Sequence, residues 1–156
     1  MKILVFSDSH GKIKHMDSIL QGIDADAICF LGDCLADLRL LEYTPKSLHA
    51  VPGNCDFMPD IPNELIVELG GKRIWLTHGH YFGVKSGYQH IIYAAKSRKV
   101  DICLFGHSHS AASFTKNNIL FLNPGSCSST RDCKGDSYAI IEIAASGDIS
   151  SEVVRI

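Results

Sequence analysis

Short apolar runs recur along the chain, and each stops abruptly at polar residues of metal-binding type. The run at 2–6 meets Asp8-Ser9-His10, and the run at 27–31 meets Gly32-Asp33. The run at 48–51 meets Pro52-Gly53-Asn54-Cys55-Asp56, that at 73–77 meets His78-Gly79-His80, and that at 101–105 meets Gly106-His107-Ser108-His109. Runs this short, rich in Ile, Val and Phe and punctuated by Gly or Pro, predict buried strands. Between them, residues 13–22 place Ile13, Met16, Ile19 and Leu20 at helical spacing, and 87–98 do the same with Tyr88, Ile91, Ile92 and Ala95. Later segments predict antiparallel hairpins: 65–69 and 72–77 around Gly70-Gly71, 112–116 and 119–122 around Asn117-Asn118, and 138–144 with 149–156. The pattern predicts two packed sheets with helices outside, the first sheet fed by βα units.

In open α/β sheets, ligands bind beyond the carboxyl ends of the strands. Singly, each polar segment here is weak evidence, because Asp-x-His or Gly-Asp after a strand is commonly a turn. Five such ends in order along one chain are hard to produce by packing alone. The converging set is Asp8, His10, Asp33, Asn54, His78, His107 and His109. Oxygen and imidazole donors without thiolate suit Mn, Fe, Co, Ni or Zn rather than a structural cysteine site. Seven protein ligands exceed what one metal needs when water positions stay open, and they fit two metals sharing one carboxylate.

Composition narrows the setting. The 156 residues suit one domain, 1–156, without a cap domain, and 46% apolar with 21% charged residues is ordinary for a globular protein, which excludes disordered and fibrous classes. Lys+Arg number 15 against 17 Asp+Glu, a net charge of −2 that gives no reason to expect nucleic acid or a membrane as partner. No apolar run approaches the ~20 residues of a spanning helix, and Asp8 interrupts the N-terminal run before a signal-peptide core forms. A cytoplasmic location is expected. The six cysteines form no C-x-x-C pair, and Cys29 and Cys103 lie inside apolar runs as small buried hydrophobes.

Taken together, Asp8-x-His10, Gly32-Asp33, Gly53-Asn54, His78 and Gly106-His107-x-His109 resemble the signature of the calcineurin-like metallophosphoesterase superfamily, in order and spacing from residue 3 to about 126. The small size, Gly53-Asn54-Cys55-Asp56 and Asn123-Pro124-Gly125-Ser126 are similar to its compact prokaryotic phosphodiesterase branch, related in fold to the retromer metallophosphoesterase-like subunit. The resemblance implies an α/β four-layer αββα sandwich of two mixed sheets with flanking helices. It implies two divalent metal ions, Mn first with Fe, Ni, Co or Zn as alternatives. One metal would take Asp8, His10 and His109, the other Asn54, His78 and His107, with Asp33 bridging. The implied activity is phosphodiester hydrolysis of a small substrate by in-line attack of a hydroxide bridging both metals. Catalytic candidates are Asp33, Asn54, His78, Asp56 and His80. Phosphomonoester or nucleotide hydrolysis at the same site, or a protein-interaction scaffold like the retromer subunit, are the alternatives, and self-association stays open.

One departure from the family stands out. Many members carry His after Gly-Asn where this chain has Cys55, whose thiol is a poor proton donor at neutral pH, and His80 is the candidate stand-in. Asn123–Ser126 lacks the G-x-S-x-G form and reads as a loop near the metals. Arg131 is a candidate phosphate contact. The basic stretch Lys96–Lys99 reads as a solvated helix end, and Trp75, His15, His49 and His90 read as packing or surface residues.

Overall fold

A computed structural model describes residues 1–43, 45–131 and 133–156. Its strands, among the described residues, are β1 (Lys2–Phe6), β2 (Ala27–Phe30), β3 (Leu48–Ala50), β4 (Glu64–Leu69), β5 (Lys72–Thr77), β6 (Ile102–Leu104), β7 (Ala112–Lys116), β8 (Ile119–Asn123), β9 (Ser137–Ile143) and β10 (Ile149–Arg155). The helices α1 (Lys14–Gly22) and α2 (Gln89–Arg98) start one and two residues inside the stretches predicted for them. Two short 3₁₀ segments, Leu35–Leu40 and His80–Phe82, were not predicted, being too short to show a period.

The strands form two five-stranded sheets, ordered β10-β9-β1-β2-β3 and β4-β5-β6-β8-β7. Within the first, β1, β2 and β3 are parallel and β9 is antiparallel to β1; within the second, β5, β6 and β8 are parallel, flanked by antiparallel β4 and β7. The predicted hairpins form in register. Leu69 pairs with Lys72 across Gly70-Gly71, and Lys116 with Ile119 across Asn117-Asn118. Asn117 and Asn118 both adopt the left-handed backbone (φ 53° and 59°) that a two-residue hairpin turn requires.

Alternation along each central strand explains the layers. Ile3, Val5, Cys29 and Leu31 face Ile74, Leu76, Ile102, Leu104 and Leu122 between the sheets. Leu4, Phe6, Ile28 and Phe30 face the other way, onto Met16 and Leu20 of α1. On the far side Trp75, Cys103, Phe105 and Phe121 pack against Ile91 and Ala95 of α2. Because both faces are covered, the parallel strands read as continuous apolar runs rather than alternating ones. Cys29 and Cys103 are fully buried, as expected.

The solvated helix end fails as a description of Arg98. Its guanidinium lies 4.3 Å above the buried Trp75 ring and bonds Glu64 at 2.7 and 3.0 Å. Among the described residues, no helix is long and apolar enough to cross a membrane.

Candidate metal centre

The carboxyl ends of the parallel strands in both sheets meet at one edge, and the predicted ligands sit just past them. Leaving its ladder, each strand turns sharply. Asp8 (φ 56°), His10 (44°), Asp33 (60°), His107 (67°) and His109 (58°) all adopt the left-handed backbone. That region is sparsely used outside glycine, and Asp, Asn and His enter it most readily among the rest. Such conformations cost of order 1–3 kcal/mol each and persist where the surroundings over-determine them.

The side chains gather into two groups. Asp8, His10, Asp33 and His109 each offer a donor atom within 4.8 Å of the others, and so do Asp33, His78 and His107. Asp33 belongs to both. Its Oδ2 lies 3.8 Å from His10 Nε2 and its Oδ1 lies 3.5 Å from His78 Nε2, so the two carboxylate oxygens face different groups. In the first group His109 Nε2 is 3.1 Å from Asp8 Oδ1 and 3.3 Å from His10 Nε2.

Hydrogen bonds behind the ligands set which atoms are available. His78 Nδ1 is 2.6 Å from the Leu31 carbonyl and His109 Nδ1 is 2.7 Å from the Ser129 carbonyl. A carbonyl only accepts, so each Nδ1 carries the hydrogen and each Nε2 turns a lone pair inward. His78 Nε2 and Asp8 Oδ1 are buried with no hydrogen-bond partner. Buried lone pairs converging on one another without a donor are costly, and a cation relieves that cost. The donor set therefore fits divalent metal.

Electrostatics agree. Burial raises the Asp8 carboxyl, but the adjacent His109, His78 and the Ser7 hydroxyl outweigh it and hold it below the usual value. Burial first, then His78 and Lys85, push His107 down to about 4, which keeps its imidazole neutral and able to ligate. His109 moves up, chiefly through the adjacent Asp8 carboxylate.

The other candidates fall in distinct places. Asn54 is exposed on the β3–β4 loop, with Nδ2 3.5 Å from Cys55 Sγ. That loop closes directly on Asp33: the Cys55 N–H donates to Asp33 Oδ1 at 2.9 Å. A Cβ on Gly53 would lie 2.2 Å from the same oxygen, so only glycine fits. Asp56 was expected among the catalytic groups, and its carboxylate is instead occupied with backbone. It accepts the N–H groups of Asp33 (2.9 Å), Gly53 (2.9 Å) and Leu35 (2.7 Å), which makes it a positioning residue tying two ligand loops together. His80 does lie at the edge of the cluster, its ring 5.4 Å from that of His78 and 6.0 Å from that of His107. Arg131 is exposed, and its backbone N–H donates to the His109 carbonyl at 3.1 Å.

With this geometry in hand, the calcineurin-like phosphoesterase superfamily domain matches residues 1–146. The chain belongs to that superfamily. It is a metal-dependent phosphoester hydrolase by family. A probable metallophosphoesterase of Bacillus subtilis, YsnB, is 35% identical over 145 residues, covering 92% of this chain and 85% of that protein. The phosphodiesterase YfcE of Escherichia coli is 26% identical over 169 residues, covering 91% and 88%. Vps29 of Entamoeba histolytica shares the fold, with a TM-score of 0.80 at 22% identity over 100% of this chain and 99% of that one.

Several supporting contacts escaped the sequence reasoning. Ser7 donates to Asp8 Oδ2 at 2.5 Å, and the buried Asp37 accepts from Ser9 Oγ (2.6 Å) and the Gly11 N–H (2.8 Å), shaping the Asp8–His10 turn. Ser126 Oγ donates to the Asp8 carbonyl (2.8 Å) and accepts the Ser129 N–H (2.8 Å), which fixes the carbonyl that orients His109. Asn123 Nδ2 holds the Gly106 carbonyl at 2.9 Å. The Asn123–Ser126 turn is thus a brace for two ligand loops, in line with its expected place near the metals. Its serine and asparagine are ordinary residue types in sequence, and only long-range contacts reveal their use.

Proposed function

We propose that the protein is a phosphodiesterase acting on small phosphoesters through two divalent cations, Mn first among them, held on either side of Asp33. The first site would use Asp8, His10 and His109, and the second Asn54, His78 and His107. When bound, such a pair lowers the pKa of water into the physiological range and neutralises charge developing on phosphorus. The chain's own part is positional. Asp33 spans both sites, Asp56 and Gly53 fix Asp33, and the Leu31 and Ser129 carbonyls hold His78 and His109 with their lone pairs inward. The leaving-group role that Cys55 fills poorly would fall to His80, a reading supported by its ring lying beside those of His78 and His107.

The observation that carries this reading is the division of Asp33, one oxygen to each histidine group. The diester preference draws support from the relative named a phosphodiesterase. The cytoplasm, a small-molecule substrate and a single domain without a cap complete the proposal; the near-neutral charge supports the absence of a nucleic-acid polymer as partner.

The test is Mn binding and aryl phosphodiester hydrolysis in wild type and Asp33→Asn. Wild type is expected to bind two equivalents per chain and to turn over the diester. Asp33→Asn is expected to lose at least about a hundredfold in rate, or ~3 kcal/mol in barrier, and to bind fewer than two equivalents. A variant that keeps two equivalents and more than a tenth of the rate would contradict a shared carboxylate.

A further inference from the structure

Tyr81 is a large aromatic residue left outside the fold beside the metal-ligand rings. It is 68% exposed. Its position is nevertheless fixed. The 3₁₀ segment His80–Phe82 lies between two left-handed glycines, Gly79 (φ 99°) and Gly83 (φ 61°). Phe82 packs edge-on against the buried Trp75 with ring centroids 5.2 Å apart, and Val84 is buried. The turn is thus anchored on both sides of Tyr81 while that one ring projects. Its sole described ring contact is His80, centroid to centroid 4.0 Å, and His80 in turn neighbours His78 and His107. From the second ligand group outward, the aromatic surface runs continuously from His78 through His80 to Tyr81.

We propose that Tyr81 is a specificity-determining residue: a stacking platform for a planar ring carried on one ester arm of the substrate, which makes nucleoside phosphodiesters the preferred class. This rests on the phosphodiesterase reading above. With phosphorus at the cluster, an ester arm directed over His80 meets Tyr81. An exposed ring on an anchored turn gains from covering by another ring, and stacking on an aromatic side chain contributes about 1–3 kcal/mol per base. The net charge of −2 disfavours a long polyanion, so the matching ligand is a single nucleoside ester rather than a polymer.

Two diesters that differ only in the base isolate the platform: the methyl esters of thymidine 5′-phosphate and of 2-deoxyribose 5-phosphate, neither of which carries a second planar ring. In Tyr81→Ala, kcat/KM for the nucleoside ester is expected to fall about 5- to 100-fold, while the base-free ester stays within about twofold. Tyr81→Phe keeps the preference. Tyr93→Ala, which alters an equally exposed tyrosine (77%) on α2, moves neither substrate. A binding arm needs no turnover. Mn-loaded wild type is expected to bind thymidine 5′-monophosphate more tightly than ribose 5-phosphate by calorimetry, and Tyr81→Ala to bind the two alike. Equal losses on both esters, no loss on either, or equal binding of the two phosphates by wild type would overturn the platform. If wild type hydrolyses neither these esters nor an aryl phosphodiester, the phosphodiesterase reading fails by itself; where the two esters are not turned over, the calorimetric arm decides on Tyr81.

Discussion

At the scale of single residues, the centre depends on contacts too close to admit one more atom. Gly53 is the sharpest case, since a methyl group there meets Asp33 Oδ1 and the Asp33 backbone nitrogen at 2.2 and 2.4 Å. Either the carboxylate or the loop must move. Gly53→Ala is therefore expected to lower Mn affinity by about 10- to 100-fold, the size seen when ligand-orienting partners are removed; unchanged calorimetric affinity would contradict the packing described. The histidines also titrate in opposite senses. His107 is pushed to about 4, so between its unfolded value near 6.5 and 4 the unfolded chain takes up a proton that the fold refuses. Stability of the metal-free protein should therefore fall as pH drops through that window. His109, raised by the adjacent Asp8 carboxylate, contributes stability below its unfolded value that is lost as pH rises through its folded one. His107→Gln removes only the first effect. Its urea midpoint, without metal, should lose less between pH 7 and pH 5 than that of wild type, and an identical loss would refute the assignment.

At the scale of elements, what was legible in the sequence was whatever a local pattern carries. The strands with ligands at their ends, both helices and the Gly-Gly and Asn-Asn hairpins followed from runs, periods and turn residues. The candidate ligands stand out in the sequence because Asp, Asn and His are conspicuous after apolar strands. The 3₁₀ segments, the double-sided amide clamp of Asp56 and the braces at Asp37, Asn123 and Ser126 were not, because their partners lie far off in the chain: Asp37 meets Gly11, and Ser126 meets Asp8. Arg98 shows the same limit. In sequence it is one of several cations closing a helix, and in the fold it joins α2 to the second sheet through Trp75 and Glu64. The pair is about a third exposed, so its ionic part counts for little; the lost stacking and stem packing make up most of the roughly 1–2 kcal/mol expected for Arg98→Ala. The urea midpoint should drop by that amount while Mn stoichiometry holds. A loss of bound metal instead would mean that α2 supports the centre directly.

At the scale of the whole molecule, two sheets supply one centre. Asp8 and Asp33 follow β1 and β2 of the first sheet, His78 and His107 follow β5 and β6 of the second, and the parallel strands all deliver their carboxyl ends to the shared edge. Left-handed turns at the ligands are tolerated because the rest of the sandwich is packed on both faces of each sheet. Under the proposed function this edge holds two cations with Asp33 between them. Anomalous scattering from a crystal grown with Mn measures that directly. Two peaks about 3.5–4 Å apart are expected, one among Asp8, His10 and His109 and the other beside His78 and His107, with Asp33 between them. A single peak under saturating Mn, or a pair that leaves Asp33 unligated, would contradict it.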